Sequence, residues 1–312
     1  MMTDTSVVRI NIAICSCQRP KLLAKALASI AAMASPEGAE VIVSVIDNDP
    51  QQSAKTVCRD WQTKLGVALH YEHEPRRGIP LARNRAIDVA HQLGAHYLVF
   101  IDDDEWVESD WLCELYRYAL SLGGKAVVHG AVVPELPQGA PQYMGEIFFD
   151  KGRPTGTALG SCATNNVLIP IYVTQELGLR FDESRPLAGG TDTLFFCAAV
   201  ERGVEIFECA EARVHEEIPT SRLSSRWLAK RKYRAGITLS RRKREAGRSA
   251  VGLLLSATFQ VVLNGLLVLL SAVLFQRVAY YKALMKMSRN AGVLSGLMGA
   301  TTDSYATIEH SN

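Results

Sequence analysis

The chain has 312 residues, 48% of them hydrophobic and 21% charged, with a formal net charge of +2. That composition excludes a disordered or collagen-like protein, and the length suits one large domain or a domain with an appendage. The charge is segregated: residues 1–221 carry 19 basic and 29 acidic side chains, residues 222–248 carry 11 and one, and residues 249–312 carry 4 and 2.

Strand and helix signals alternate from the start. The N-terminal segment MMTDTSVVRINIAI has no apolar stretch long enough for a signal peptide. Val7–Cys15 is an apolar, β-branched run that predicts the first strand, and Pro20 opens a helical pattern over Lys21–Met33. Glu40–Ile46 predicts a second strand, Ser53–Leu65 a helix, Val67–Tyr71 a short third strand and Ile79–Leu93 a helix closed by Gly94. His96–Ile101 is the fourth strand, followed by a helix over Trp106–Leu120. Near-continuous apolar strands separated by helices of 10–15 residues indicate an α/β fold with a mostly parallel sheet. Right-handed crossovers bring the strand C-termini to one edge, where ligands of open α/β sheets bind. The second strand ends at Asp47-Asn48-Asp49 and the fourth at Asp102-Asp103-Asp104-Glu105, so both acidic groups are expected at that edge.

Consecutive aspartates repel one another unless water or a cation relieves them. Asp102 and Asp104, two apart on an extended chain, would point the same way. Their hard oxygens suit Mg²⁺ or Mn²⁺, ions usually completed by substrate phosphates. The bland alternative is a solvated loop capping the next helix, although capping needs one acid rather than four. No Gly-x-Gly-x-x-Gly follows the first strand and no P-loop occurs, which disfavours dinucleotide and P-loop folds. The seven cysteines (Cys15, Cys17, Cys58, Cys113, Cys162, Cys197, Cys209) form no Cys-x-x-Cys pair, as in a reducing compartment.

Ser249–Gln276 is a run of 28 residues without a formal charge. As a helix it would reach roughly 42 Å, against a bilayer core of about 30 Å. The basic stretch 222–248 just before it fits the anionic cytoplasmic face of a membrane better than nucleic acid, since no nucleic-acid module is visible. Basic residues on both flanks leave two topologies open: a single span, or a re-entrant hairpin turning at Asn264-Gly265.

Four segments together resemble the family 2 glycosyltransferases: VRINIAICSCQRPKLLAKALASI, VIDNDP, RRGIPLARNRAI and YLVFIDDDEWV, in the family's order and over roughly residues 7–245. The resemblance implies a GT-A fold and inverting transfer of a sugar from a nucleotide-diphosphate sugar, UDP-hexose being the usual donor. It is nearest to bacterial enzymes that build exopolysaccharide repeat units on a lipid-linked acceptor at the cytoplasmic face of the inner membrane. By resemblance Asp47 reads the nucleotide base, Arg83 and Asn84 line the nucleotide pocket, and Asp102 and Asp104 hold ribose and metal-diphosphate. Asp192 takes the catalytic base position, preceded by Thr191 where many relatives have Glu. His215 is a candidate third metal ligand, with Glu216 or a purely structural histidine as alternatives. Arg226-Trp227 resembles the Gln-x-x-Arg-Trp of processive synthases, but Leu223 stands in the Gln position, which favours single-sugar addition. Arg76-Arg77 either approach the diphosphate or are solvated loop charges, and SCATNN (161–166) either shapes the acceptor side or is a polar turn. The expected organisation is a catalytic domain over 1–221, a basic membrane-surface segment over 222–248, a hydrophobic membrane-associated segment over 249–276 and a tail over 277–312. The rival functions are a metal-dependent phosphoryl-transfer enzyme or hydrolase using Asp102–Asp104, and a non-catalytic membrane-associated scaffold.

Overall fold

The computed structural model describes residues 7–148, 152–184, 186–187 and 189–300. The chain forms two compact units: Met1–Val133, Gly152–Pro186 and Thr191–Glu216 in the first, Pro134–Lys151, Leu187–Gly190 and Glu217–Asn312 in the second.

The first unit is built on one eight-stranded sheet. β1 (Val8–Ser16), β2 (Ala39–Asp47), β3 (Ala68–His73) and β4 (Tyr97–Asp102) run parallel in the order β3-β2-β1-β4. β5 (Glu105–Val107), β6 (Val127–Glu135), β7 (Val167–Pro170) and β8 (Ile206–Glu217) extend it as β4-β7-β6-β8-β5, with β7 antiparallel to β4 and β6, and β5 antiparallel to β8. Its helices are α1 (Pro20–Ala32), α2 (Lys55–Trp61), α3 (Ile79–Gln92), α4 (Trp111–Ser121), α6 (Tyr172–Gln175) and α7 (Thr191–Glu201), while the four-residue α5 (Gly145–Phe148) belongs to the second unit.

Strand side chains alternate between faces, and both faces here are buried. Ile10, Ile12 and Ile14 of β1 pack with Leu23 and Leu27 of α1 and Leu112 and Leu115 of α4. Ala13, from the same strand, packs on the other face with Ala86 and Ile87 of α3 and Phe196 of α7. Two cores sandwich the sheet, which explains why the parallel strands read as unbroken apolar runs.

The expected helix over Trp106–Leu120 is shorter at its start. Glu105, Trp106 and Val107 pair with Glu216, His215 and Val214 as strand β5, and α4 begins only at Trp111. The partner lies over a hundred residues away, so no local pattern announces the strand.

Asn166, from the SCATNN segment, knits this unit together. It is fully buried. Its Oδ1 accepts from Trp111 Nε1 at 2.7 Å, and its Nδ2 donates to the carbonyls of Ala131 (2.9 Å) and Ala212 (2.8 Å). Its φ of 71° is a conformation that asparagine tolerates better than most residues.

In the second unit, α8 (Ser225–Glu245) starts at Ser224, whose Oγ accepts from Trp227 N at 3.2 Å. α9 (Ala250–Val273) covers the charge-free run as one unbroken helix. It runs unbroken through Asn264-Gly265, where the Asn264 amide also bonds back to the Gln260 carbonyl at 2.7 Å, so the hairpin topology is not adopted. α10 (Arg277–Leu297) packs against both α8 and α9. At its crossing with α8, a Cβ on Gly236 or Gly292 would overlap the backbone carbonyls of Arg289 or Tyr233, so only glycine permits that approach.

Replacing Asn166 with alanine strands the buried Trp111 indole N–H and removes the donor to the buried Ala212 carbonyl and the part-buried Ala131 carbonyl. At roughly 1–3 kcal/mol for each unsatisfied group, Asn166→Ala is expected to lower stability by about 3 kcal/mol or more, read from the denaturant midpoint by circular dichroism.

Candidate active site

The C-terminal ends of β1, β2 and β4 meet at one edge of the sheet. Ser16 of β1 is in register with Asp47 of β2, and Cys15 with Asp102 of β4. With strands about 4.8 Å apart, the two acids sit two strand spacings from one another.

Asp47 is fully buried, and its carboxylate organises the loop that follows it. It accepts from Asp49 N (3.1 Å), Ala54 N (2.9 Å) and the Tyr71 hydroxyl (3.1 Å). Asn48 donates from Nδ2 to the carbonyls of Glu74 (2.9 Å) and Arg76 (2.8 Å), and its Oδ1 accepts from Gly78 N (2.8 Å). The Asp47-Asn48 pair thus ties the end of β2 to the residues that lead into α3.

β4 ends at Asp102, and the chain turns at Asp103-Asp104 before re-entering the sheet as β5. The turn brings Asp103 and Asp104 onto one guanidinium, whereas an extended chain would have paired Asp102 with Asp104. Arg19 Nη1 lies 3.1 Å from Asp103 Oδ1 and 3.1 Å from Asp104 Oδ2. Ser16 Oγ donates to Asp103 Oδ2 at 2.8 Å. Glu105, also buried, accepts from the backbone N–H of Asp102 (2.9 Å) and from Asn165 Nδ2 (3.2 Å).

These carboxylates are costly to keep charged. Burial pushes Asp102 up to about 7; Arg83 opposes this, while Asp104, Asp103 and Glu216 add to it. Burial likewise raises Asp103 to about 6, against Arg19 and the Ser16 hydrogen bond. Glu105 is pushed well above the usual carboxylate range by burial and by the charge of Asp102.

Arg83 links this cluster to α7. It is buried on α3, with Nη1 3.5 Å from Thr191 Oγ1 and its guanidinium over the Phe181 ring at 5.5 Å. Asp192 is the next residue, in the first turn of α7, where its Oδ1 accepts from Thr193 N at 3.0 Å. Helix N-termini favour negative charge at such a position. Asn84 has a different duty: its Oδ1 accepts from Phe181 N (2.9 Å), and its Nδ2 donates to Phe181 O (2.9 Å) and Glu183 Oε1 (2.7 Å). It staples the segment before α7 onto α3.

His215 does not join the acids. It pairs with Trp106 on the opposite face of the β5–β8 ribbon from Glu105 and Glu216, stacks on that indole at 5.5 Å and lies 3.0 Å from Glu108 Oε1. Glu216 is the residue whose charge reaches Asp102 and Glu105. Arg76 is paired with Glu74 at 2.9 Å on an exposed loop, and Arg19 is a cation that pairs with the acid turn. Sequence reasoning placed Arg19 in a motif but gave it no partner, because its two aspartates lie 84 and 85 residues further on.

Among the described residues, no three His, Cys, Asp or Glu side chains are arranged to enclose an ion. The donor chemistry nonetheless fits a hard divalent cation. Burial raises the affinity of Asp102 and Asp103 for protons and the neighbouring carboxylates add to it, both effects that a bound cation would relieve. A cation at this turn would need donor oxygens from a bound phosphate to complete its shell.

Asp102 and Asp103 hold protons more tightly in the folded chain than in the unfolded one, where aspartate titrates near 3.9. Folding therefore takes up protons between about pH 4 and 7, and the stability of the ligand-free chain falls as pH rises through that window. Asp102→Asn is expected to flatten this slope, measured as denaturant midpoint between pH 5 and 8.

Residues 11–165 match the family described as Glycosyl transferase family 2. The succinoglycan biosynthesis protein ExoM of Rhizobium meliloti (strain 1021) is 37% identical over 237 residues, which make up 75% of each chain. Among solved structures, residues 1–349 of S. aureus TarS superpose with a TM-score of 0.55 at 14% identity, covering 94% of this chain and 92% of that one. The complex of that fragment with UDP-GlcNAc gives 0.54 at 13% identity, with the same coverage of both chains. GalNAc-T7 with UDP, GalNAc and Mn²⁺ gives 0.53 at 15% identity, covering 69% of this chain and 45% of that one.

Proposed function

The chain belongs to glycosyl transferase family 2 and is a glycosyltransferase of GT-A fold; from that premise we propose that it adds one sugar, from a UDP-hexose, to a hydroxyl of a lipid-linked glycan in bacterial exopolysaccharide synthesis. One observation carries the site assignment: Arg83, whose charge acts on Asp102 at the end of β4, has its Nη1 3.5 Å from Thr191 Oγ1 at the start of α7. That arrangement supports donor binding and base catalysis at one edge of the sheet. ExoM is named for succinoglycan biosynthesis, which supports the exopolysaccharide assignment. Bound UDP and UDP-GlcNAc in TarS support the nucleotide-sugar donor.

In this reading Asp192 accepts the proton of the acceptor hydroxyl as its oxygen attacks the anomeric carbon. The bond from that carbon to the diphosphate breaks, the electron pair leaves with the nucleoside diphosphate, and the anomeric configuration inverts. Asp102 receives the ribose, Asp47 and Asn84 hold the loops that shape the nucleotide pocket, and Arg83 favours the charged form of Asp102 against its burial. Mg²⁺ or Mn²⁺ held at Asp104 would neutralise charge developing on the leaving diphosphate. Bound Mn²⁺ in GalNAc-T7 supports that choice of ion. Arg19, which neutralises Asp103 and Asp104 in the free chain, is placed to turn its charge to the diphosphate. The basic 222–248 stretch and the apolar 249–276 run support attachment to the cytoplasmic face of the inner membrane, beside a lipid-anchored acceptor.

A positioned general base contributes about 10²–10⁴ in rate. Asp192→Asn is expected to reduce sugar transfer by that factor while leaving UDP-sugar affinity within threefold, by calorimetry and a radiolabelled transfer assay. Asp104→Asn is expected to do the reverse, abolishing the gain in UDP affinity on adding Mn²⁺. Unchanged turnover in the first variant removes Asp192 from the mechanism.

A further inference from the structure

α9 has two opposite faces of unlike character. Leu253, Ala257, Asn264 and Ser271 are its buried residues. At 100° per residue they form one narrow strip. Val251, Leu255, Val262, Leu266, Leu269 and Val273 form the strip diametrically opposite and are 59–71% exposed. The buried strip rests on α10. Met287 Sδ lies 3.6 Å from where a Gly265 Cβ would be, and Ser271 shares a cavity of about 250 Å³ with Tyr280 and Tyr281. Contacts pairing 265 with 287 and 271 with 280–281, across a connection of three residues, make the two helices antiparallel over several turns.

α10 is not a membrane-compatible partner. Lys282, Lys286 and Arg289, spaced i, i+4, i+7, make an exposed basic strip along it. Lys286 and Arg289 stand roughly 14 and 18 Å along α10 from its start. If α9 crossed a bilayer core of about 30 Å, these two charges would be carried near its midplane. The glycine crossing holds α10 to α8 as well, and α8 ends in the exposed Arg242, Lys243 and Arg244.

We infer that α9 lies flat in the interface of an anionic phospholipid leaflet, its exposed strip in the acyl region and α10 directly above it at the headgroups. This rests on the membrane attachment proposed above and decides its topology. A helix spacing of about 8–10 Å sets the axis of α10 at headgroup level when α9 sits about 5–10 Å into the boundary. The basic strip of α10 and the C-terminal turn of α8 then meet lipid phosphates, and no charge enters the core.

The test uses the full-length chain with an environment-sensitive fluorescent amino acid at Val251, Val262, Val273 or Lys286. Leu255 and Leu269 serve as substitutes on the same strip if a variant fails to fold by circular dichroism. Each protein is floated with vesicles of phosphatidylglycerol and phosphatidylcholine carrying bromines at defined acyl depths. The expected result is flotation, equal and shallow quenching at 251, 262 and 273, and iodide access at 286. Flotation with the deepest quenching at 262, and with 251 and 273 reporting opposite leaflets, overturns the flat orientation and leaves membrane attachment standing. Absence of flotation overturns both.

Discussion

Carboxylates crowded at the end of a buried parallel strand need positive charge, and the first unit is arranged around that need. β4 emerges between β1 and β7, so Asp102 ends the strand half-buried, beside the buried Asp103 and Glu105. Asp103, Asp104 and Glu105 follow within one turn, and Glu216 reaches the same spot from β8. Two arginines answer them from separate elements: Arg19 from the loop before α1 and Arg83 from inside α3. Burial outweighs the two arginines at Asp102 and Asp103, so these two carboxylates bind protons more avidly than free aspartate would. A site of that kind gains from any ligand that brings in cationic charge together with its own oxygen donors.

Hydrogen bonds from a few amides hold this charged edge in place. Asp47 and Asn48 fold the loop after β2 and fasten it to the approach to α3. Asn84 fastens α3 to the segment leading into α7. Asn166 joins α4, β6 and β8 through one side chain. Side chains that resemble ligand-binding residues by motif therefore include some whose polar atoms are already committed to the backbone, and the geometry separates the two kinds.

Most of the parallel half was legible in the sequence because its signals are local. Buried strands such as EVIVSVI and HYLVFI read as apolar runs, and Pro20 and Gly94 punctuate the helices next to them. Right-handed crossovers then required both acidic loops to share an edge. The antiparallel half was less legible. β5 is three residues long and exists only because β8 pairs with it, so the residues after the acids read as one continuous helix. The same pairing decides which of His215 and Glu216 faces the acids, a matter of strand parity that motif matching passes over. In the second unit, hydropathy identified α9 but not its neighbour; the charges on α10 acquire meaning only once the two helices are seen packed together.

The pairing of β5 with β8 has an optical consequence. It clamps the Trp106 indole between the His215 ring, stacked at 5.5 Å, and the Lys25 ammonium, 3.3 Å from the ring centroid. Trp106 directly follows Glu105 in the chain, and its strand neighbour His215 directly precedes Glu216. An indole packed against an imidazole ring and an ammonium group sits in the field of both, so its contribution to the emission of the chain's four tryptophans follows the charge on His215 and Lys25, on the ribbon face turned away from Glu105 and Glu216.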